Sequence, residues 1–321
     1  MSQAWNLPER EITPEVTTLT RRRWLRRIGL ASACVGAGAG LWWWNYSGSD
    51  ESVLAKGQAG DAGAGLYPAA RNLAFGQLDR PLTAEVSAAR YCNFYEFSTG
   101  KQVWRHVDRF EPLPWTLEVT GLAAKPRKYD LDDLLHAFPL EERHYRHRCV
   151  EAWAMAVPWT GFPLAALLRQ AEPLPAARFV RFVSFHRPAE ANRQNGRSEP
   201  WPYTEGLTLQ EATNELTFLA TGMYGHPLLK QHGAPLRLVV PWKYGFKSAK
   251  SLVRIELTAE QPATFWNILS PDEYGFEANV NPNVPHPRWS QAYERMLGTG
   301  EIRPTQLYNG YGRWVAKLYQ G

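Results

Sequence analysis

Hydrophobic and polar positions divide the chain into three stretches. The first ends near Ser49, the second is densely patterned from about Leu73, and the third loses its periodicity after Glu260. In the middle stretch Trp115, Leu117 and Val119 alternate, which predicts a strand ending at Gly121. Leu131, Leu134, Leu135 and Phe138 recur at helical spacing behind Asp130, a residue suited to capping a helix start. A second helix is predicted near Pro163, with Leu164, Leu167 and Leu168 on one face. Phe179 to Val183, Leu236 to Val240 and Leu252 to Leu257 read as further strands. Strands outnumber clear helices and the two do not alternate regularly, so the fold class is α+β with mixed sheets, not a doubly wound sheet. From Glu260 onward the sequence is rich in Pro, Asn, Trp and Tyr. Such a long irregular stretch is either a cover over a ligand site or plain surface irregularity.

Composition narrows the class. A hydrophobic content of 44% excludes a disordered chain, and three cysteines in 321 residues exclude a disulfide scaffold. The net charge of +5 is spread out after Arg27, without the basic stripe that nucleic-acid binding requires, so no nucleic-acid partner is expected.

The N-terminus reads as an address. Arg21-Arg22-Arg23-Trp24-Leu25-Arg26-Arg27 precedes an uncharged, glycine-containing run from Ile28 to Ser49. A basic patch, a weakly apolar run and small residues form a secretory signal, and the paired arginines resemble a twin-arginine signal. The expected division is a signal over residues 1–55 and one catalytic domain over 56–321. Val53-Leu54-Ala55 and Ala37-Gly38-Ala39 compete as cleavage sites. The alternative is an uncleaved anchor, with Trp42-Trp43-Trp44 at a membrane interface. Cys34 falls in the signal, which leaves Cys92 and Cys149 either to pair in an oxidising compartment or to serve a metal.

Motif searching is mostly exclusive. There is no H-E-x-x-H, C-x-x-C, G-x-S-x-G or haem-binding C-x-x-C-H. Gly245-Phe246-Lys247-Ser248-Ala249-Lys250-Ser251 lacks Walker spacing, yet two lysines three apart in a Gly/Ser turn can hold a phosphate. On a strand, His147 and Cys149 would share a face, close to His144. Such a group is open to three readings: part of a zinc site, a buried structural cysteine, or one thiolate on a metal cofactor that brings its own ligands.

Several motifs then occur in a fixed order. They are Asn93-Phe94-Tyr95-Glu96-Phe97, Arg148-Cys149-Val150-Glu151-Ala152-Trp153, Pro158-Trp159-Thr160-Gly161-Phe162-Pro163, Gly233-Ala234-Pro235-Leu236-Arg237 and Pro241-Trp242-Lys243-Tyr244-Gly245-Phe246-Lys247. Asp272-Glu273-Tyr274-Gly275-Phe276, Asn279-Val280-Asn281-Pro282 and His286-Pro287-Arg288-Trp289-Ser290 follow. In this order they resemble the catalytic subunits of bacterial periplasmic protein-methionine-sulfoxide reductases, molybdenum enzymes of the sulfite oxidase fold. The resemblance runs from the signal to the last residues.

The resemblance implies one molybdenum-molybdopterin per chain, with Cys149 as thiolate ligand to the metal. It implies cofactor contacts from Asn93, Tyr95, Glu96, Ser184, His232 and Arg237. Ser248, Ala249 and Lys250 match the segment that holds the cofactor's phosphate. Ser184 stands where the family often has Thr, and His232 where Asn is common. Cys92 stands where Asn is common, which leaves it an unassigned thiol. The implied reaction transfers the sulfoxide oxygen of oxidised methionine in proteins to molybdenum, and electrons return one at a time from a membrane-embedded b-type haem subunit. Substrates would be oxidised periplasmic proteins, and export would use the twin-arginine machinery. Glu151 is a candidate donor to the sulfoxide oxygen if its surroundings keep it protonated, or else a structural carboxylate. The aromatic loops after Glu260 are candidates to line the mouth. The rival on the same fold is a sulfite-oxidising dehydrogenase or another S- or N-oxide reductase, kept open by Arg148 beside Cys149. A second rival is a binding or assembly factor without the metal.

Overall fold

The computed structural model describes residues 50–60, 63 and 65–320. The signal motif, the uncharged run and Cys34 lie outside the described residues. Among the described residues, no helix is long and apolar enough to cross a membrane.

Two sheets carry the fold. The first has the order β2-β1-β10-β5-β6. Its strands are β1 Thr116–Gly121, β2 Arg127–Asp130, β5 Phe179–Ser184, β6 Thr204–Thr208 and β10 Leu252–Thr258. β1 runs parallel to β10, and the other neighbours are antiparallel. The second sheet follows β12-β11-β4-β7-β8, with β3 added on β4 and β9 on β7. Its strands are β3 Glu141–Arg148, β4 Trp153–Pro163, β7 Phe218–Met223, β8 His226–Pro227, β9 Arg237–Val239, β11 Tyr293–Met296 and β12 Ile302–Pro304. Both sheets contribute to one core, with Val119, Phe182 and Ile255 from the first and Val157, Trp159 and Leu219 from the second. The mixed α+β architecture follows from these two sheets and a few short helices.

The predicted elements form within a residue or two. One local reason differs from expectation. The helix Leu131–Ala137 begins after Asp130, but the Asp130 side chain makes no capping bond; Asp132 and Asp133 place charge in its first turn instead. The helix Leu164–Ala171 starts immediately after Pro163, and its Leu164, Leu167 and Leu168 are buried.

A helix over Asp50–Gly57 opens the described chain. Val53 is fully buried with Ala89, Trp104 and Leu229, and Asp50 pairs with Arg90 at 2.8 Å. The helix comes so close to the body that a Cβ on Gly57 would lie 2.6 Å from Gln231 Oε1. The expected boundary at residue 55 cuts through this helix.

A second, smaller core sets the position of the Asn93–Phe97 motif. Phe94 and Phe97 pack on Phe110 and Phe185, with ring centroids 4.8–6.3 Å apart. Asn93, Tyr95 and Glu96 line the neighbouring cavity.

Candidate active site

β3 and β4 are long antiparallel neighbours, joined by the turn Cys149 to Ala152. Cys149 N–H donates to Trp153 O at 2.9 Å and Ala152 N–H to Cys149 O at 3.0 Å. Ala152 holds a left-handed backbone, φ 67°, which is strained for a residue with a Cβ. That turn presents the Cys149 sulfur to a cavity of about 770 Å³, open mouth included.

Three zones line this cavity. Around the sulfur, Asn93 Nδ2 donates to Cys149 Sγ at 3.4 Å and the Glu151 N–H does so at 3.5 Å. Two N–H donors aimed at one sulfur favour a thiolate. Without a metal the thiol is instead pushed up to about 12, chiefly by burial, with the Glu151 charge acting the same way. Asn93 Nδ2 also donates to Glu151 at 3.1 Å, Trp153 Nε1 does so at 3.3 Å, and Lys101 Nζ forms an ion pair with the same carboxylate. Burial opposes ionisation of Glu151, but Lys101, Asn93 and Trp153 outweigh it and hold the carboxyl below its ordinary range. The Lys101 ion pair and the Asn93 and Trp153 donors favour the carboxylate form, the second of the two readings open for Glu151. Lys101 was not among the residues singled out from sequence.

The second zone is cationic. Arg237 is buried, and its guanidinium donates to His232 O at 2.9 Å and Ser248 O at 3.2 Å. Burial lowers it to about 10. Lys250, lowered to about 8 by burial and by Arg237, opens onto the same space without a carboxylate in ion-pair reach among the described residues. Burial and the charges of Arg237 and Lys250 bring His232 down to about 3, and its Nε2 has no partner. His147 is likewise held well below its ordinary value, and the backbone at Gly245 approaches it so closely that a Cβ would lie 2.5 Å from His147 Nε2. Glu96 lines the cavity too, raised to about 7 by burial against the pull of Lys250.

Aromatic rings form the third zone. Tyr95 meets Trp266 edge-on at 4.8 Å, and Trp266 meets Tyr274 at 5.0 Å. Trp266 and Tyr274 come from the irregular stretch after β10, so at least this part of it covers the cavity.

The cavity thus gathers Asn93, Tyr95, Glu96, Cys149, Glu151, His232, Arg237, Ser248, Ala249 and Lys250. Ser184 is the exception: it lies buried beside the Tyr203 backbone, its Oγ unpartnered, and does not line the cavity. Cys92 lines it as a free thiol, its Sγ 3.3 Å from Gln231 O, so the two remaining cysteines are not paired. No group of three His, Cys, Asp or Glu suited to a metal exists among the described residues, and His144 turns to Glu142 at 3.1 Å. That removes the zinc reading. Lys247 turns away from the cavity to Glu205, 2.8 Å off, so only one lysine of the Gly245–Ser251 turn faces the ligand space. Arg148 also turns away. It donates to Gln291 Oε1 at 2.9 Å and pairs with Glu294 at 3.3 Å, behind the cavity wall.

These residues fit a molybdopterin. A soft sulfur stands at one end, cations and an orphaned imidazole nitrogen at the other, and a single thiolate suits a metal whose other ligands are brought by the pterin.

Comparisons with known proteins agree with this geometry. Residues 104–266 match the model of the oxidoreductase molybdopterin binding domain. The chain is 45% identical over 324 aligned residues to the protein-methionine-sulfoxide reductase catalytic subunit MsrP of Burkholderia mallei (strain ATCC 23344), covering 98% of this chain and 94% of that protein. It is 54% identical over 247 residues to the subunit of the same name from Gluconobacter oxydans (strain 621H), covering 74% and 79%. Among solved structures, the sulfane dehydrogenase SoxCD of Paracoccus pantotrophus aligns at TM-score 0.40 and 18% identity, over 60% of this chain and 45% of that one.

Proposed function

Because the chain belongs to the family of protein-methionine-sulfoxide reductase catalytic subunits, which carry a molybdopterin-binding domain, we propose how its own residues serve that reaction and where it takes place. The chain is an oxidoreductase that reduces methionine sulfoxide in proteins, and its cofactor is molybdenum-molybdopterin. As a catalytic subunit it works with a partner. One observation carries the reading: Cys149, Arg237 and Lys250 line a single cavity.

Cys149 would hold the metal, with Asn93 and the Glu151 N–H steadying its sulfur. Arg237, Ser248, Ala249 and Lys250 would hold the phosphate end, and His232 and Glu96 would contact the pterin. When bound, the cofactor supplies two-electron oxygen-atom chemistry. Glu151 and Lys101 set the field at the reacting end. An anionic carboxylate beside Cys149 disfavours an anion such as sulfite, and Arg148 is engaged elsewhere. A neutral sulfoxide meets neither objection.

The setting is the periplasm, the electron donor a membrane-embedded b-type haem subunit, and the substrates oxidised periplasmic proteins. Export through the twin-arginine machinery would end with cleavage before Asp50, since the helix Asp50–Gly57 belongs to the folded body. The exported protein should contain about one molybdenum per chain and reduce an oxidised protein with a reduced dye. Sulfite turnover without sulfoxide reduction would overturn the assignment, and protein without molybdenum would favour a binding factor. Mass spectrometry of the mature N-terminus tests the cleavage.

A further inference from the structure

A sulfoxide oxygen is a strong hydrogen-bond acceptor, so its reduction benefits from a donor beside it. The Glu151 carboxylate is engaged as an acceptor by Lys101, Asn93 and Trp153. The Asn93 amide is committed to Cys149 and Glu151. His147 is wedged between the Trp153 ring, 5.7 Å away, and the Gly245 backbone, and the His232 carbonyl accepts from Arg237 at 2.9 Å. Three phenols, Tyr95, Tyr203 and Tyr274, line the cavity. The hydroxyls of Tyr95 and Tyr274 have no hydrogen-bond partner among the described residues, whereas Tyr203 OH is spent on Phe246 O at 2.7 Å. Tyr95 and Tyr274 line the same cavity as Cys149 and Glu151.

Tyr274 is the better held of the two. Its N–H donates to Ser270 O at 3.1 Å and its carbonyl accepts Asn267 Nδ2 at 3.0 Å. Its ring packs on Trp266 at 5.0 Å and Phe246 at 5.3 Å. The ring is thereby fixed, and its hydroxyl is left as a donor with no internal duty. Trp266 beside it offers a polarizable face to a methyl and a sulfur.

We propose that Tyr274 is a specificity-determining residue for methyl sulfoxides: its hydroxyl donates to the sulfoxide oxygen, while its ring and Trp266 take the S-methyl group. This rests on the sulfoxide-reductase reading. It assigns oxygen recognition to a late covering loop, not to the turn that carries Cys149.

The test uses the exported holoenzyme with Tyr274→Phe, which deletes only the hydroxyl, and Tyr274→Ala, which also removes the ring. For a methionine-sulfoxide peptide, Tyr274→Phe should lower kcat/KM by about 10- to 100-fold, as one lost donor to a developing charge does. Binding of a methionine-sulfone peptide, which offers the acceptor but not this reaction, should weaken by about 5- to 10-fold for loss of one hydrogen bond, read by tryptophan fluorescence. Tyr274→Ala should lose more on both readouts. Molybdenum content and Tm should stay at wild-type values for Tyr274→Phe. A Tyr274→Phe protein within twofold of wild type on both readouts overturns the proposal. Loss of molybdenum in that variant also overturns it, by placing the hydroxyl on the cofactor. Wild-type protein that does not turn over sulfoxide overturns the functional reading, and this proposal with it.

Discussion

Lys247 and Lys250 are three residues apart in one turn, and the fold treats them in opposite ways. Lys247 is buried with its ammonium 2.8 Å from the buried Glu205 carboxylate. Lys250 faces the cavity beside Arg237, makes no ion pair among the described residues, and its pKa falls to about 8 although the Glu96 charge acts on it across the cavity. The first charge is neutralised within the protein and belongs to the scaffold. The second is kept partly unsatisfied and belongs to a ligand. The difference teaches that a buried cation marks a binding site when the fold leaves it without a counter-ion.

The largest effect that would break this comparison is on stability. Lys247→Met strands the Glu205 carboxylate and should cost about 3–5 kcal/mol in denaturant unfolding, which a Lys247→Met, Glu205→Gln pair should largely restore. Lys250→Met should leave apoprotein Tm unchanged or higher, and lower retained molybdopterin at least about tenfold through loss of a charge-assisted contact. The reverse pattern would exchange the roles of the two lysines.

A pH-dependent effect sharpens the ligand side. His232 folds with a pKa of about 3, so the unfolded chain binds the extra proton first as pH falls. Apoprotein stability from this group is complete above the ordinary histidine range and drains away from about pH 6.5 toward 3, by about 5 kcal/mol in all. Glu96, raised to about 7, acts in the opposite sense between the ordinary carboxyl range and 7. The difference between wild type and His232→Asn in pH-dependent unfolding therefore isolates the imidazole. Smallest of all, Lys101→Met should leave folding nearly intact and raise the Glu151 pKa. Turnover should then gain an acidic limb at higher pH than wild type, seen in a pH–rate profile.

The cationic end was legible in sequence because it is local. Gly233 to Arg237 and Gly245 to Lys250 flank β9 and its following turn, so their spacing survives into three dimensions. Cys149 was legible for the same reason, inside an ordered motif. The ion pairs were not. Lys101 and Glu151 are 50 residues apart, and nothing in their local patterns marks either as the other's partner. Arg148 illustrates the converse: adjacency to Cys149 kept a sulfite-oxidising rival open, but Arg148 is drawn away from the cavity by Glu294 and Gln291. The longest strand also escaped the pattern. β4 is buried at every position except Pro163, and a strand covered on both faces shows no alternation. β1, inside the first sheet but buried on one face only, alternates and was readable.

The Cys149 turn has a consequence for handling and biogenesis. Burial pushes the Cys149 thiol well above its ordinary range, which keeps the reactive thiolate scarce near neutral pH. Iodoacetamide should label apoprotein at Cys149 far more slowly than a free cysteine, and the residue should remain intact until a metal draws off its proton.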